Sequence, residues 1–375
     1  MDFNRGDEAQ KTYKTIMSET ARWPGHAGGH YTREQWKRCA ELGLLGLSAP
    51  EQHGGSGMGA LATAQALEAF GRGYEDMGLV FGIAAHLLAC VVPISEFGGE
   101  QVKAAVLPNL CNGTWIAANA ITEESAGSDI HALTTTATKA GHDYVLSGRK
   151  SFVSNGPIAD VFLVYAVTNP LFGHLGISAF LVDRDTPGLT VGAAFDKTSL
   201  TSCPASYVDF QECRVAGSRR IGEEGAGAQI FQHSMQWERS CLFAAYVGLT
   251  DRILTKCVDY ANTRRQFGRT ISSNQAISHR LVNARLRLEA SRLLLWKACW
   301  KMDCGERAVM DVGLAKLAIS EGAIQMGLDA MQIFGSQGVL TATGIEGALR
   351  DSLPTTLFSG TSEMQRDLVA KEMGL

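Results

Sequence analysis

The sequence predicts an α+β protein in three consecutive segments, helical over residues 1–115, strand-rich over 116–222 and helical again over 223–375. Two observations carry this reading. Apolar residues recur at helical spacing in the outer segments, while the middle one breaks into short β-prone runs bounded by Gly, Pro, Asn and Asp. A chain of 375 residues is long enough to pack such segments into layers around substantial cores.

The first segment rests on stretches such as Ala60-Leu-Ala-Thr-Ala-Gln-Ala-Leu-Glu-Ala-Phe, which is rich in strong helix formers. Leu88, Val91 and Val92 keep helical spacing up to Pro93, where an interruption is expected. Glu51-Gln-His-Gly-Gly-Ser-Gly-Met-Gly reads as a turn between helices. In the middle segment the strands are Tyr144-Val-Leu-Ser-Gly, Val161-Phe-Leu-Val-Tyr-Ala-Val, Ile177-Ser-Ala-Phe-Leu-Val and Ser206-Tyr-Val-Asp-Phe. No helical pattern intervenes between them, so an antiparallel barrel or sandwich is expected. The third segment predicts long helices from near Ala226 to Asn262, across Gln275–Cys304 and across Ala308–Phe334. Gly335-Ser-Gln-Gly closes the last of these, and Ser362-Glu-Met-Gln365 fits a capping box opening a final helix.

Composition excludes several classes. Net charge is −4, so no basic field points to nucleic acid or an anionic membrane. No unbroken run of 18 apolar residues occurs, and the N-terminal residues lack the apolar core of a secretion signal. Nine cysteines, an odd number with no Cys-x-x-Cys, read as reduced, buried small hydrophobes of a cytoplasmic protein. His26 and His30 are four apart, but Pro24 and Ala-Gly-Gly make the stretch a loop, so no metal site is expected.

Five ordered motifs span the chain: Ile121-Thr-Glu-Glu-Ser-Ala-Gly-Ser-Asp, Gly148-Arg-Lys-Ser-Phe-Val-Ser-Asn-Gly, Arg264-Arg-Gln-Phe-Gly-Arg, Gln332-Ile-Phe-Gly-Ser-Gln-Gly and Ser359-Gly-Thr-Ser-Glu-Met-Gln. With them the sequence resembles the acyl-CoA dehydrogenase family of flavoproteins. The resemblance implies a C-terminal four-helix bundle, bound FAD and a homo-oligomer, usually a tetramer. It implies that Asn119, Ile121, Thr122 and Ser128 meet the flavin ring, that Phe152 stacks on it and that Ser154 lies near its N5. Phe152 and Ser154 replace the family's commoner Trp and Thr. Arg264 matches a residue that grips the cofactor's pyrophosphate, usually in a neighbouring subunit, as a guanidinium fork suits. Gln266, Phe267, Gln275, Gln332, Gly335, Ser336, Thr361 and Glu363 match further cofactor positions, Glu363 standing where Gln is commoner.

One residue departs from the pattern. Most relatives read Tyr-Glu-Gly-Thr where this chain reads Phe358-Ser-Gly-Thr, and their Glu removes the substrate's α-proton. A serine is no carboxylate base, although its backbone N–H could still meet the thioester carbonyl. A base with a pKa near neutrality needs an apolar setting. Met235-Gln-Trp-Glu-Arg-Ser-Cys-Leu offers one, with Met235, Cys241 and Leu242 on the helical face of Glu238. Adjacent helical residues diverge by about 100°, so a direct Glu238–Arg239 pair is not expected. The resemblance agrees, because isovaleryl-CoA and long-chain acyl-CoA dehydrogenases carry the base on this helix in an acidic-Arg pair that Glu238-Arg239 matches.

The expected reaction is therefore α,β-dehydrogenation of an acyl thioester, with Glu238 as base and the Ser359 N–H as carbonyl donor. Gln236, Trp237, Arg239 and Phe358 are expected to line the substrate site. Gln236 replaces an Asp that contacts the pantetheine arm in relatives, and Lys197-Thr-Ser-Leu-Thr replaces their Lys-x-Gly-x-Arg. The Trp-Glu-Arg arrangement resembles family members of polyketide and nonribosomal peptide pathways, which favours a carrier-protein thioester ahead of a CoA ester. Electrons would pass to an electron-transfer flavoprotein or, in an oxidase, to O₂. A non-catalytic flavoprotein subunit is the remaining alternative.

Overall fold

The computed structural model describes residues 7–25 and 28–375. His26 lies outside the described residues, so the His26/His30 spacing has no structural counterpart to compare. Six helices build the first segment: α1 (Asp7–Thr20), α2 (Arg33–Glu41), α3 (Ala60–Gly73), α4 (Met77–His86), α5 (Val92–Phe97) and α6 (Glu100–Cys111). The turn expected at Glu51–Gly59 is present and includes a single 3₁₀ turn, Glu51–His53. Pro93 does not interrupt the helix. A π turn, Leu87–Val91, joins α4 to α5, and its wider winding just ahead of the proline admits the ring without a break. The continuous stretch Met77–Phe97 is long and apolar enough to cross a membrane, yet 89% of its most apolar window is buried. It is a buried core helix.

The middle segment is one eight-stranded sheet: β1 (Ala117–Ala120), β2 (Thr136–Ala140), β3 (Asp143–Ser154), β4 (Val161–Val167), β5 (Ile177–Asp183), β6 (Leu189–Val191), β7 (Ala205–Val215) and β8 (Arg220–Ile221). Strand order is β6-β7-β3-β2-β4-β5-β8, with β1 on β4. Pairing is antiparallel except that β1 runs parallel to β4, from Ala117/Val161 to Ala120/Val164, and β2 touches β4 in parallel at Thr136/Val167. The purely antiparallel expectation is corrected at these two places. β1 escaped the sequence reading because Ala-Ala-Asn-Ala has little strand propensity; burial of three of its four residues holds it in place. β4 is covered on both faces. Phe162, Val164 and Ala166 enter the core of the sheet, while Val161, Leu163 and Tyr165 enter the larger core shared with the helices.

The last segment holds α7 (Gly227–Trp237), a second π turn (Glu238–Leu242), α8 (Phe243–Thr263), a short hairpin of β9 (Arg265–Gln266) and β10 (Arg269–Thr270), α9 (Gln275–Asp303), α10 (Val309–Phe334), α11 (Ile345–Ser352) and α12 (Ser362–Glu372). The three long helices fall where the sequence put them. Gly335, at φ 57°, stops α10 as expected. The cap of α12 is one residue off the expected box. Thr361 keeps the extended backbone an N-cap needs and accepts from Met364 N at 3.2 Å, so Ser362 is already helical.

Glycine sets how closely the two helical segments dock. A Cβ at Gly71 of α3 would run into the Ala245 carbonyl, and one at Gly248 of α8 into the Glu68 carbonyl. Arg292 of α9 then bridges both sides, meeting Glu68 at 2.9 Å and Asp251 at 3.1 Å.

Candidate active site

The second π turn places Glu238. Its side chain is 8% exposed, and Met235, Cys241 and Leu242 around it are buried as the helical spacing predicted. π turns insert one residue into a helix and recur at functional sites. Burial pushes the Glu238 carboxyl up to about 7, against the opposing pull of the Ser359 hydroxyl and the Arg239 charge. A carboxyl with that value can take a proton near neutrality and stay uncharged when it holds one.

Arg239 does not pair with Glu238. Its Nε donates to the Ser359 carbonyl at 2.8 Å. The Ser359 hydroxyl donates to Glu238 Oε1 at 3.0 Å, so base, arginine and serine form one chain of contacts. The sequence reading gave Ser359 only a main-chain role and missed this hydroxyl contact. Both Ser359 (φ 55°) and Gly360 (φ 88°) are left-handed, and neither amide donates a hydrogen bond among the described residues. The turn thus carries two free N–H groups beside the buried carboxyl. Phe358 packs its ring against Phe81 (4.9 Å), Phe243 (5.4 Å) and Tyr246 (6.1 Å), an apolar wall for the same site. Gln236 and Trp237 are half-buried on the α7 side.

Ser359→Ala is expected to keep activity within about tenfold, because Glu238 and the main-chain donor both survive and the lost hydroxyl bond acts on the protonation of the base rather than on the thioester. The lost bond favoured the carboxylate, so the acidic limb of the pH–rate profile should move upward by about one unit. A kcat/KM profile from pH 5 to 9 reads both effects.

The strand domain supplies a second group. Asn119 is the third of the four residues of β1, and Ile121 and Thr122 follow the strand; Ser151 N donates to the Thr122 carbonyl at 2.8 Å, which sets this stretch beside β3. Beneath it lies a buried ion pair. Lys150 Nζ donates to Glu123 Oε1 at 2.8 Å and to the Ile121 carbonyl at 3.0 Å. The same carboxylate accepts from the Thr134 amide (2.7 Å) and hydroxyl (2.5 Å) and from the Thr135 amide (2.9 Å). Burial pushes the Glu123 carboxyl up, but Lys150 and these donors outweigh it and hold it at about 2. At Phe152 a register shift in β3 leaves a left-handed residue (φ 53°) with its ring 66% exposed. Ser154 is half-buried two residues on, and Ser128 is exposed. Asn119 Oδ1 and Ser151 Oγ are buried without a partner. An open aromatic face, a half-buried hydroxyl and unpaired polar atoms suit a planar heteroaromatic ring such as a flavin.

The other expected cofactor residues lie apart, at one end of the C-terminal helices. Tyr260 stacks on Phe334 at 4.2 Å, bringing the end of α8 against the end of α10. Ile271 N donates to the Arg264 carbonyl at 2.9 Å, and Gln275 opens α9 shortly after. Arg264, Gln266, Phe267, Gln275, Gln332, Gly335 and Ser336 are all exposed there, Phe267 completely and at φ 49°. No hydrogen bond or ring contact links them to the Asn119–Ser154 group among the described residues. Thr361 and Glu363 sit at the start of α12, the first half-buried and the second exposed.

Sequence reasoning missed Lys316 of α10, which is fully buried. Its Nζ donates to the Gly360 carbonyl at 2.7 Å and stands 5.3 Å from the centre of the Phe243 ring. Burial, and after it the Arg239 charge, bring its ammonium down to about 8. The signal was available, since a lone lysine in Val312-Gly-Leu-Ala-Lys-Leu-Ala-Ile is as anomalous as Glu238.

A buried carboxyl beside a turn of free amides, and a strand domain shaped for a flavin, define an acyl thioester dehydrogenase. The chain belongs to the acyl-CoA dehydrogenase family, oxidoreductases acting on CH–CH bonds: the family's N-terminal, middle and C-terminal domains match residues 7–114, 118–213 and 225–374. It is 50% identical over 380 residues to the L-prolyl-[peptidyl-carrier protein] dehydrogenase of Pseudomonas fluorescens, covering all of both chains. It is 46% identical to the protein of the same name from a Serratia species, over 91% of this chain and 89% of that one. Among solved structures, PigA with FAD and proline superposes with a TM-score of 0.98 at 42% identity over the whole of both chains. The prolyl acyl carrier protein oxidase AnaB does so with 0.96 at 38% identity, over 99% of this chain and all of that one.

Proposed function

We propose that this protein is an FAD-dependent dehydrogenase of a prolyl group held as a thioester on a peptidyl-carrier protein. The observation that carries the reading is the buried Glu238 carboxyl, hydrogen-bonded to the turn that replaces the family's usual base. The names of the relatives at 50% and 46% identity supply the acyl group and the carrier. Glu238 takes the α-proton, and the free Ser359 amide holds the thioester oxygen as negative charge develops there. FAD, when bound, accepts the β-hydrogen as hydride, so a carbon–carbon double bond forms between the α and β positions of the ring. Asn119, Ile121, Thr122, Ser128, Phe152 and Ser154 hold the flavin end, with Thr361 and Glu363 at the head of α12. Arg264, Gln266, Phe267, Gln275, Gln332, Gly335 and Ser336 serve the cofactor of a neighbouring copy, which accounts for their exposure and their separation from the ring site. Phe358, Gln236, Trp237 and Arg239 border the acyl group.

The assembly we infer is a homotetramer. Val282, Leu286 and Leu293 form an exposed apolar stripe on α9, each more than half exposed in the single chain, as a face meant for another copy would be. All nine cysteines are free and eight are buried, which suits a reducing cytoplasm. Anaerobic addition of prolyl-carrier protein should bleach the flavin, whereas prolyl-CoA should do so less efficiently. Absence of bleaching with either thioester would sink the catalytic reading. The rate of bleaching should rise with pH through about 7, as Glu238 loses its proton.

A second reading concerns only the acceptor. The likeness to AnaB, named an oxidase, favours O₂ as the electron acceptor over an electron-transfer flavoprotein. Rapid reoxidation of the bleached enzyme by air, with peroxide formed, is the outcome that selects it.

A further inference from the structure

We propose that Lys316 is a positioning residue, which with Arg239 locks the Ser359–Gly360 turn so that its free amides face the thioester oxygen. This rests on the function proposed above. Two consecutive left-handed residues, one of them a serine, are costly, since a Cβ crowds the backbone in this region. Such a turn persists only where its surroundings dictate it. Here the surroundings are two cations on separate elements, Lys316 fully buried and Arg239 half-buried. Arg239, from the π turn after α7, takes the Ser359 carbonyl at 2.8 Å; Lys316, from α10, takes the Gly360 carbonyl at 2.7 Å. Charge-assisted hydrogen bonds of this kind are about twice as strong as neutral ones. Gln365 Nε2 adds a third, at 3.3 Å, to the Gly360 carbonyl.

With both carbonyls drawn inward, the peptide planes on either side of Gly360 cannot rotate. The Gly360 amide, which has no partner among the described residues, lies in the first of these planes and so stays presented on the turn; the Ser359 amide, one plane earlier and likewise without a partner there, is held through the left-handed Ser359 that joins the two planes. No side chain can enter from the glycine itself. A Cβ there would lie 2.8 Å from Gln365 Nε2 and 3.3 Å from Arg239 Nη2. Lys316 is itself fully buried. It acts through the turn, and it is held for that task above the Phe243 ring, in the same aromatic wall that Phe358 joins.

The test uses holoenzyme of the wild type, Lys316→Met and Lys316→Arg. A conjugated product analogue, the pyrrole-2-carbonyl thioester of the carrier protein, reports on the turn directly. Donors aimed at its carbonyl oxygen shift its ultraviolet absorption to longer wavelength on binding, with no turnover needed. Lys316→Met is expected to bind FAD as the wild type does, to lose most of that red shift and to bleach about 10²-fold more slowly, with KM changed less than about threefold. Lys316→Arg should recover most of the shift and bleach within about tenfold of the wild type. A full red shift and a wild-type bleaching rate in Lys316→Met would overturn the proposal. Should that variant not fold, Lys316→Gln, which keeps a donor and drops the charge, is read instead: a reduced shift supports the role and an unchanged one refutes it. Failure of the wild type to bleach would count against the proposed reaction, while the red shift still decides the role of Lys316.

Discussion

Glu238→Gln is expected to purify yellow, with full FAD, and to show no bleaching by prolyl-carrier protein on a timescale at which the wild type finishes. Removing a positioned general base costs about 10²–10⁴-fold, and a carboxamide cannot take the proton at all. The same substitution should stabilise the fold. Folded Glu238 has its pKa raised from 4.5 to about 7 because burial disfavours the charged form. Between those two values the unfolded chain has released the proton and the folded chain keeps it, so stability falls as pH rises through this window. A lift of this size corresponds to roughly 3 kcal/mol at pH values above 7, all of it absent below about pH 4.5. Glu238→Gln should therefore melt several degrees above the wild type at pH 8 and close to it at pH 5. If the variant bleaches at wild-type rates, or melts lower at pH 8, Glu238 is not a buried base.

Much of this site was legible because its chemistry conflicts with its surroundings in the sequence. Glu238 stood out as a carboxylate among Met, Trp, Cys and Leu, and the structure buries it among those neighbours. Arg239 was expected to diverge from it, and it does, toward the Ser359 carbonyl. The long helices and the four strongest strands were legible for a related reason, since burial of one face imposes a period. What escaped depends on contacts distant in the chain. The Ser359–Glu238 bond spans 121 positions and the Lys316–Gly360 bond 44. β1 is a strand only because β4 pairs with it, and Pro93 is tolerated only because a π turn precedes it. The shift of the α12 cap from Ser362 to Thr361 follows from the backbone of the preceding turn, which no local motif encodes.

Lys150→Met carries the largest expected loss of stability, about 3–5 kcal/mol, because it leaves a buried carboxylate without its counter-charge. Glu123 is 4% exposed and Lys150 fully buried, so water cannot replace the missing partner. Burial brings the Lys150 ammonium down to about 8 even though the Glu123 charge and hydrogen bond pull it upward, a sign that the pair is held by Glu123 against its own desolvation. The loss should reach the cofactor site as well. Glu123 accepts from Thr134 and Thr135, and Lys150 ties down the Ile121 carbonyl beside the Ser151–Thr122 backbone bond, so one ion pair braces the loop we assign to the flavin. The variant should unfold at lower denaturant concentration and release FAD more readily on dilution. Lys150→Met combined with Glu123→Gln separates the two causes. A carboxamide oxygen still accepts from the threonine amides but carries no charge, so the double variant should regain more than half of the stability lost. A double variant no more stable than Lys150→Met would mean that packing of the lysine stem, rather than the stranded charge, supports the loop.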